Sequence, residues 1–267
     1  MHEEPALAVT HLTKSFHGRN AKDVLHDVTF ALAPGECAGL VGVSGCGKST
    51  TARIIAGLET ADSGTVLLGA QTFDARQLGT RDRFQHLAMV FQQPESSFDP
   101  RKTLGWSIAE PMRARGWARA DIAARTKELL DAVELPETLL GHYPFEVSGG
   151  QCQRAAIARA VATHPRVLLC DEVTSALDVT LQGKIVALIR ALTKNEHIAC
   201  LFITHDLPLL AQAADRILVM DAGRIVEDAE ASRVISAPQS EAAKALLAVD
   251  FFQMADVRAD GKNRFDK

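Results

Sequence analysis

Apolar residues in this chain fall into short continuous runs separated by longer, periodically apolar segments. Glu36–Val41, Val167–Cys170, Ala199–Ile203 and Arg216–Met220 are mostly apolar stretches of strand length, the kind buried on both faces of a parallel sheet. Thr51–Leu58, Gln151–Thr163 and Leu177–Leu192 read as helices; Gly57 ends the first and Pro165 closes the second. Ser148 stands where the N-cap of the second belongs. Strands alternating with helices predict an α/β domain with a largely parallel sheet. Residues 1–35 differ: Ala6–Val9 and Val28–Leu32 read as strands, the loop between them carries Phe16, and Pro34-Gly35 turns the chain. Asp62-Ser63-Gly64 is a turn before a strand at Thr65–Leu68, and Leu87–Phe91 is a further strand ending at Gln92-Gln93-Pro94.

From Pro94 to about Val147 strand signals vanish. Arg101–Gly116 and Arg119–Val133 read as helices, the second with Ile122, Leu129, Leu130 and Val133 near helical spacing. The pattern predicts a helical insertion of roughly fifty residues, the size of a subdomain. Later, a short helix precedes Arg216–Met220, Asp221-Ala222-Gly223 turns the chain into Arg224–Val226, and Ser240–Phe252 forms a last helix. Residues 255–267 are polar and charged, a frayed tail.

Composition narrows the function classes. The 267 residues, 47% hydrophobic, suffice for one large domain or a domain with a subdomain. A net charge of −4 and a pI of about 6.1 argue against a general nucleic-acid binder, which carries a basic excess. With no signal-peptide start and no apolar run long enough for a bilayer, the chain is expected to be soluble and cytoplasmic. The five cysteines are scattered singly, so neither a zinc site nor a CxxC redox motif is supported. Cys37, Cys170 and Cys200 lie in strand runs and are expected to be buried small hydrophobes.

The chemistry concentrates at Gly42–Thr50, GVSGCGKST, between a strand and a helix. Gly42, Gly47, Lys48 and Ser49 have the spacing of a phosphate loop. Its backbone N–H groups, from Gly42 and Ser44 through Gly45, Cys46, Gly47 and Thr50, can surround phosphate oxygens at a helix N-terminus. Lys48 can reach the β- and γ-phosphates, and the Ser49 hydroxyl can ligate Mg²⁺. Cys46 is either a small residue that fits or a thiol open to modification. Ligands of parallel sheets sit at the carboxyl ends of strands, and three further strands end in suitable groups: Gln92, then Asp171-Glu172, then His205. Asp171 can hold the ion beside Ser49. Glu172 is the natural general base for an in-line water, His205 could position that water, and Gln92 could sense the γ-phosphate or its metal. Phe16 could stack on a purine or simply pack.

At Val147-Ser148-Gly149-Gly150-Gln151 the chain resembles the signature motif of ABC-type ATPases. With GVSGCGKST, Gln92, VLLCDE at 167–172, SALD at 175–178 and His205 in FITHD, the resemblance covers about residues 6–250 in the family's order. It implies a P-loop NTPase (RecA-like) core, with an N-terminal antiparallel β-subdomain, over 1–93 and 164–236. A helical subdomain follows over about 94–163 and a C-terminal helix over about 240–252, all within one ATPase domain ending near 253, with a flexible tail over 254–267. It implies head-to-tail dimers holding two ATPs, so that Ser148, Gly149, Gly150 and Gln151 act on a partner's ATP. It also implies that Ser175, Ala176, Leu177 and Asp178 cross the interface, and that Phe16 stacks on adenine. The helical insertion would dock onto a membrane-spanning subunit at the cytoplasmic face of the membrane.

A finer resemblance is to nickel, dipeptide and oligopeptide importer ATPases, carried by Val90–Pro94, Ser97–Thr103, Glu110-Pro111-Met112 and Ala199–Asp206. It implies a translocase using ATP and Mg²⁺. Its partners would be a second and different ATPase chain, two permease subunits and an extracytoplasmic solute-binding protein. Val147 replaces the usual Leu, and the cysteine-rich extension of some peptide-importer ATPases is missing, so no iron–sulfur cluster is expected. The alternative is a non-transport ABC ATPase acting in DNA repair or translation; Lys48, Glu172 and His205 are all present, which argues against a degenerate, binding-only subunit.

Overall fold

The structure is a computed structural model that describes residues 4–17, 22–174 and 179–248. The chain opens with strands β1 (Leu7–Phe16), β2 (Lys22–Leu32) and β3 (Cys37–Val41), then helix α1 (Lys48–Ile55). Strands β4 (Ser63–Leu68) and β5 (Gln71–Asp74), helix α2 (Arg81–His86) and strand β6 (Leu87–Val90) follow. Helices α3 (Leu104–Ala114), α4 (Arg119–Ala132) and α5 (Gly149–Val161) come next, joined by short 3-10 turns. The last part runs through β7 (Val167–Asp171), α6 (Val179–Asn195), β8 (Ala199–Ile203), α7 (Leu207–Ala213), β9 (Arg216–Asp221), β10 (Arg224–Glu230) and α8 (Ala231–Ser236). A helical run over 241–248 ends the described chain; the 175–178 segment, the last turn of the expected C-terminal helix and the tail lie outside it.

Two sheets form. One is antiparallel, in the order β2-β1-β4-β5; the other runs β10-β9-β3-β8-β7-β6, parallel except for its β9–β10 edge. Alternation along the buried strands divides the larger sheet's faces. Cys170, Cys200 and Phe202 join a cluster with α3, α5 and α6, whereas Leu40, Leu169, Leu201 and Ile203 join one with α1 and the smaller sheet. The fold is thus the α/β core, antiparallel β-subdomain and helical insertion implied by the sequence. All five cysteines are free and buried; contact with Cys200 and burial push the Cys37 thiol well above its usual range. No described helix is long and apolar enough to cross a membrane.

Several boundaries differ from the sequence expectation, each for a physical reason. β1 continues through Phe16 instead of giving way to a loop, because Lys14 fills an inward position with its ammonium 2.9 Å from Glu59. Gly64 belongs to β4 and not to a turn: at φ 107° its missing side chain lets β4 pass the Thr10 and His11 carbonyls, only 2.7 Å from where a Cβ would sit. α3 starts at Leu104, three residues late, because the Thr103 hydroxyl accepts from the Trp106 N–H. β5, α2 and α8 carry too little apolar pattern to be seen in sequence. α2 is held by a single buried side chain: Arg83 donates to the Ile54 and Ile55 carbonyls that end α1, at 2.8 and 3.0 Å. Burial lowers the Arg83 pKa to about 10, so it stays protonated at neutral pH. A cation over a helix C-terminus also complements the helix dipole.

Removing that cation takes away the Ile55 carbonyl's donor and one charge-assisted bond of the Ile54 carbonyl, which keeps the Gly57 N–H at 3.0 Å. Arg83→Met should therefore lower the unfolding free energy by about 3 kcal/mol, measured by urea denaturation. A loss below about 0.5 kcal/mol would mean that water replaces the guanidinium.

Candidate active site

Strands β3, β8, β7 and β6 are adjacent and parallel. In this order their carboxyl ends carry the Gly42–Thr50 loop, His205, Asp171-Glu172 and Gln92. The sheet therefore brings these sequence-predicted residues to one edge. Asp171 accepts a hydrogen bond from the Ser49 hydroxyl at 3.2 Å. Gln92 donates its amide N–H to a Glu172 carboxylate oxygen at 3.0 Å, and the other oxygen lies 3.7 Å from His205 Nδ1.

Local backbone explains each position. Glu172 has φ 49°, in the left-handed region, and its N–H donates to the Ile203 carbonyl at 2.9 Å. The chain so leaves β7 in a tight corner beside β8. A left-handed glutamate costs about 1 kcal/mol, which the corner must offset. His205 is fixed by its neighbours: the Asp206 N–H donates to the Thr204 hydroxyl, and the Asp206 carboxylate caps α7 by accepting from the Leu209 N–H at 2.8 Å.

The loop is a tight backbone nest. Lys48 is buried, and its ammonium donates to the carbonyls of Gly42 (2.6 Å) and Val43 (3.1 Å). Among the described residues it has no carboxylate within ion-pair distance, so these residues leave the buried cation without a full counter-charge. That calls for an anionic ligand. The loop is clamped from both sheets. Gly223 donates to the Cys46 carbonyl at 3.0 Å, and Lys22 donates to the Gly45 carbonyl at 3.5 Å. Cys46 is buried with its sulfur 3.9 Å from the Lys48 ammonium. Ser44 and Gly45 are exposed, and Thr50 is half-buried on the first turn of α1.

Asp171 suits a cation. Burial pushes its carboxyl up and the neighbouring Glu172 adds to this, while the Ser49 hydroxyl opposes them. A hard cation beside Ser49 would restore the charged form. No described cluster of three or more His, Cys, Asp or Glu could hold a metal alone; a Mg²⁺ here would take few protein oxygens, the rest coming from phosphates and water.

Phe16 ends β1 opposite Lys22, the residue that touches the loop. Its ring is exposed, with the Lys14 ammonium 4.8 Å from the centroid. Ser148 caps α5, accepting from the Gln151 N–H at 3.3 Å while Gln151 returns a bond to the Ser148 N–H at 3.0 Å. Gly149 and Gly150 form the first turn, and no hydrogen bond links this motif to the phosphate loop among the described residues. The sequence thus yields two groups of site residues with no hydrogen bond between them among the described residues. Ser175–Asp178 lies outside the described residues. Sequence reasoning found the Gly223 turn but not its contact with the loop, and it missed Lys22; neither contact has a signature in local pattern.

The ABC transporter family pattern matches residues 25–175. The chain belongs to the ABC transporter family. It is 42% identical to a nickel import ATP-binding protein, NikE, of Escherichia coli, over 76% of this chain and 77% of that one. Likewise it is 38% identical to an oligopeptide transport ATP-binding protein, OppF, of Haemophilus influenzae, over 84% and 72%. A dimeric structure of the ATP-binding cassette MJ0796, in a post-hydrolysis state with ADP and Pi, superposes with a TM-score of 0.74. That match is at 27% identity over 84% of this chain and 98% of that one. This ABC protein is an ATPase of the importer branch, and the DNA-repair or translation alternative finds no support among these relatives.

Gly47 is closely packed against β2. It has φ 115°, and a Cβ there would lie 2.7 Å from Leu25 Cδ2 and 3.1 Å from the Val24 carbonyl oxygen. Gly47→Ala should cost about 2 kcal/mol of stability or more and weaken nucleotide binding at least tenfold. Thermal unfolding with and without ATP measures both.

Proposed function

We propose that this ABC ATPase hydrolyses ATP at the Gly42–Thr50 loop, with Lys48, Gln92, Asp171, Glu172 and His205 in the roles their positions allow. The observation that carries this reading is the placement of all of them at the ends of four adjacent parallel strands, beside a buried ammonium that has no carboxylate within ion-pair distance among the described residues. Lys48 and the loop N–H groups hold the β- and γ-phosphates. Glu172 takes the proton of the attacking water, His205 holds that water in line, and Gln92 contacts the γ-phosphate side of the site. Ser49, Asp171 and Gln92 would hold Mg²⁺, which neutralises phosphate charge when bound. Phe16 supplies a ring face for adenine.

The chain works as half of a head-to-tail pair with a second, different ATPase subunit. Ser148, Gly149, Gly150 and Gln151 would close over the partner's ATP through the hydroxyl, the free N–H groups and the positive end of α5. The role of linking the two sites would fall to Ser175–Asp178. A cavity of about 570 Å³ between α2, β6, α3 and α5, lined by Phe84, Leu87, Pro111, Arg115 and Thr163, fits a docking helix of a membrane-spanning subunit. The ATPase then lies peripherally on the cytoplasmic face of the membrane, beneath two permease subunits fed by an extracytoplasmic solute-binding protein. The relatives favour nickel or a small peptide as the solute.

Glu172→Gln should keep ATP affinity and lower turnover by about a hundredfold or more. Unchanged ATPase activity in that variant would remove Glu172 from its role. Lys48→Ala should weaken ATP binding by at least tenfold in equilibrium titration, by loss of charge-assisted bonds to phosphate; normal affinity would argue against the loop assignment.

A further inference from the structure

The most exposed large apolar side chain among the described residues is Phe145, at 73%, and it does not stand alone. The Tyr143 ring stacks on it with centroids 5.6 Å apart and planes 9° apart, and Tyr143 is itself exposed. The two near-parallel rings form an exposed aromatic plate. A scattered exposed apolar residue needs no explanation, but a paired plate on a rigid support does.

The support is unusually well fixed. The His142 carbonyl accepts from the Leu104 N–H at 2.8 Å, and Pro144 between the rings is buried. The Tyr143 N–H donates to Glu146 Oε2 at 2.7 Å, and the Glu146 N–H returns to the Tyr143 carbonyl at 3.0 Å. Directly after it comes the reciprocal pair of Ser148 and Gln151 that starts α5. Two hydrogen-bonded turns in tandem therefore hold the plate before anything binds, so covering it costs little ordering entropy. Aromatic rings held this way are typical binding anchors.

We infer that the Tyr143–Phe145 plate is an anchor of the contact with the second ATPase subunit, buried when the two subunits close around ATP. The inference rests on the head-to-tail reading proposed above. Two observations choose this occupant over a membrane subunit. Phe145 lies three residues before Ser148, continuous with the α5 N-terminus that reaches towards the partner's ATP. The cavity assigned to the membrane subunit instead touches Arg159, Ala160 and Thr163 at the other end of α5. A 13-residue helix separates the two ends by about 20 Å.

The test uses the Glu172→Gln chain, alone and with the ATPase subunit that copurifies with it, titrated with ATP and followed by light scattering. ATP should convert this parent to a dimer. Adding Phe145→Ser should raise the ATP concentration needed by about tenfold, the effect of losing one interface anchor, with an unchanged melting temperature because the ring is exposed. Phe145→Tyr, which keeps the plate, should restore dimer formation. If Phe145→Ser dimerises like its parent, the plate has no part in the interface, whether or not it affects copurification with membrane subunits, and the inference falls while the dimer reading stands. If the parent itself stays monomeric with ATP under both conditions, the dimer reading fails and this inference fails with it.

Discussion

Level ends on four parallel strands are the constraint on which the site depends. Leu40 of β3 pairs with Ile203 of β8, Ile203 with Asp171 of β7, and Cys170 with Val90 of β6. Each strand leaves the sheet within about one residue of its neighbour's level, so the four following segments start side by side. Because side chains alternate faces, a one-residue slip would send Cys170 and Phe202 to the wrong face and move Glu172 away from Gln92 and His205. Burial on both faces of the sheet fixes that register. Thus apolar packing far below the edge sets the distances among polar groups at it.

Most of this was legible in sequence because it is built from strong local signals. Continuous apolar runs gave β3, β7, β8 and β9 within about a residue, and a glycine-rich loop before a helix located Lys48 and Ser49. What could not be read depends on single long-range contacts. β5 and α2 are polar in composition, and α2 owes its place to Arg83 reaching two carbonyls nearly thirty residues earlier in the chain. The outer half of β1 has a lysine at an inward position, legible only once Glu59 is known to face it.

Of the candidate site, residue types and order were visible; their mutual geometry was not. Nothing in the pattern indicates that Gln92 lies on Glu172, or that Glu172 occupies a left-handed corner tied to Ile203. Both follow from which strands are neighbours, a property of topology. The same holds for the small C-terminal helices. Buried Glu227 on β10 accepts from the Gln239 and Ser240 N–H groups and the Ser240 hydroxyl, thereby fixing where the run over 241–248 begins.

The phosphate loop touches both sheets, through Val24 and Leu25 of β2 on one side and through Met220 and the Gly223 turn on the other. It acts as a keystone between two lobes that also share an apolar seam and the bonds from Arg216 to the Ala31 carbonyl and from Arg224 to the His26 carbonyl. A ligand that tightens a keystone stiffens the whole arch. Nucleotide occupancy at this loop is therefore coupled to the cooperativity of unfolding of the β-subdomain with the core, because ligand binding to the native state adds its free energy to every opening that disrupts the loop.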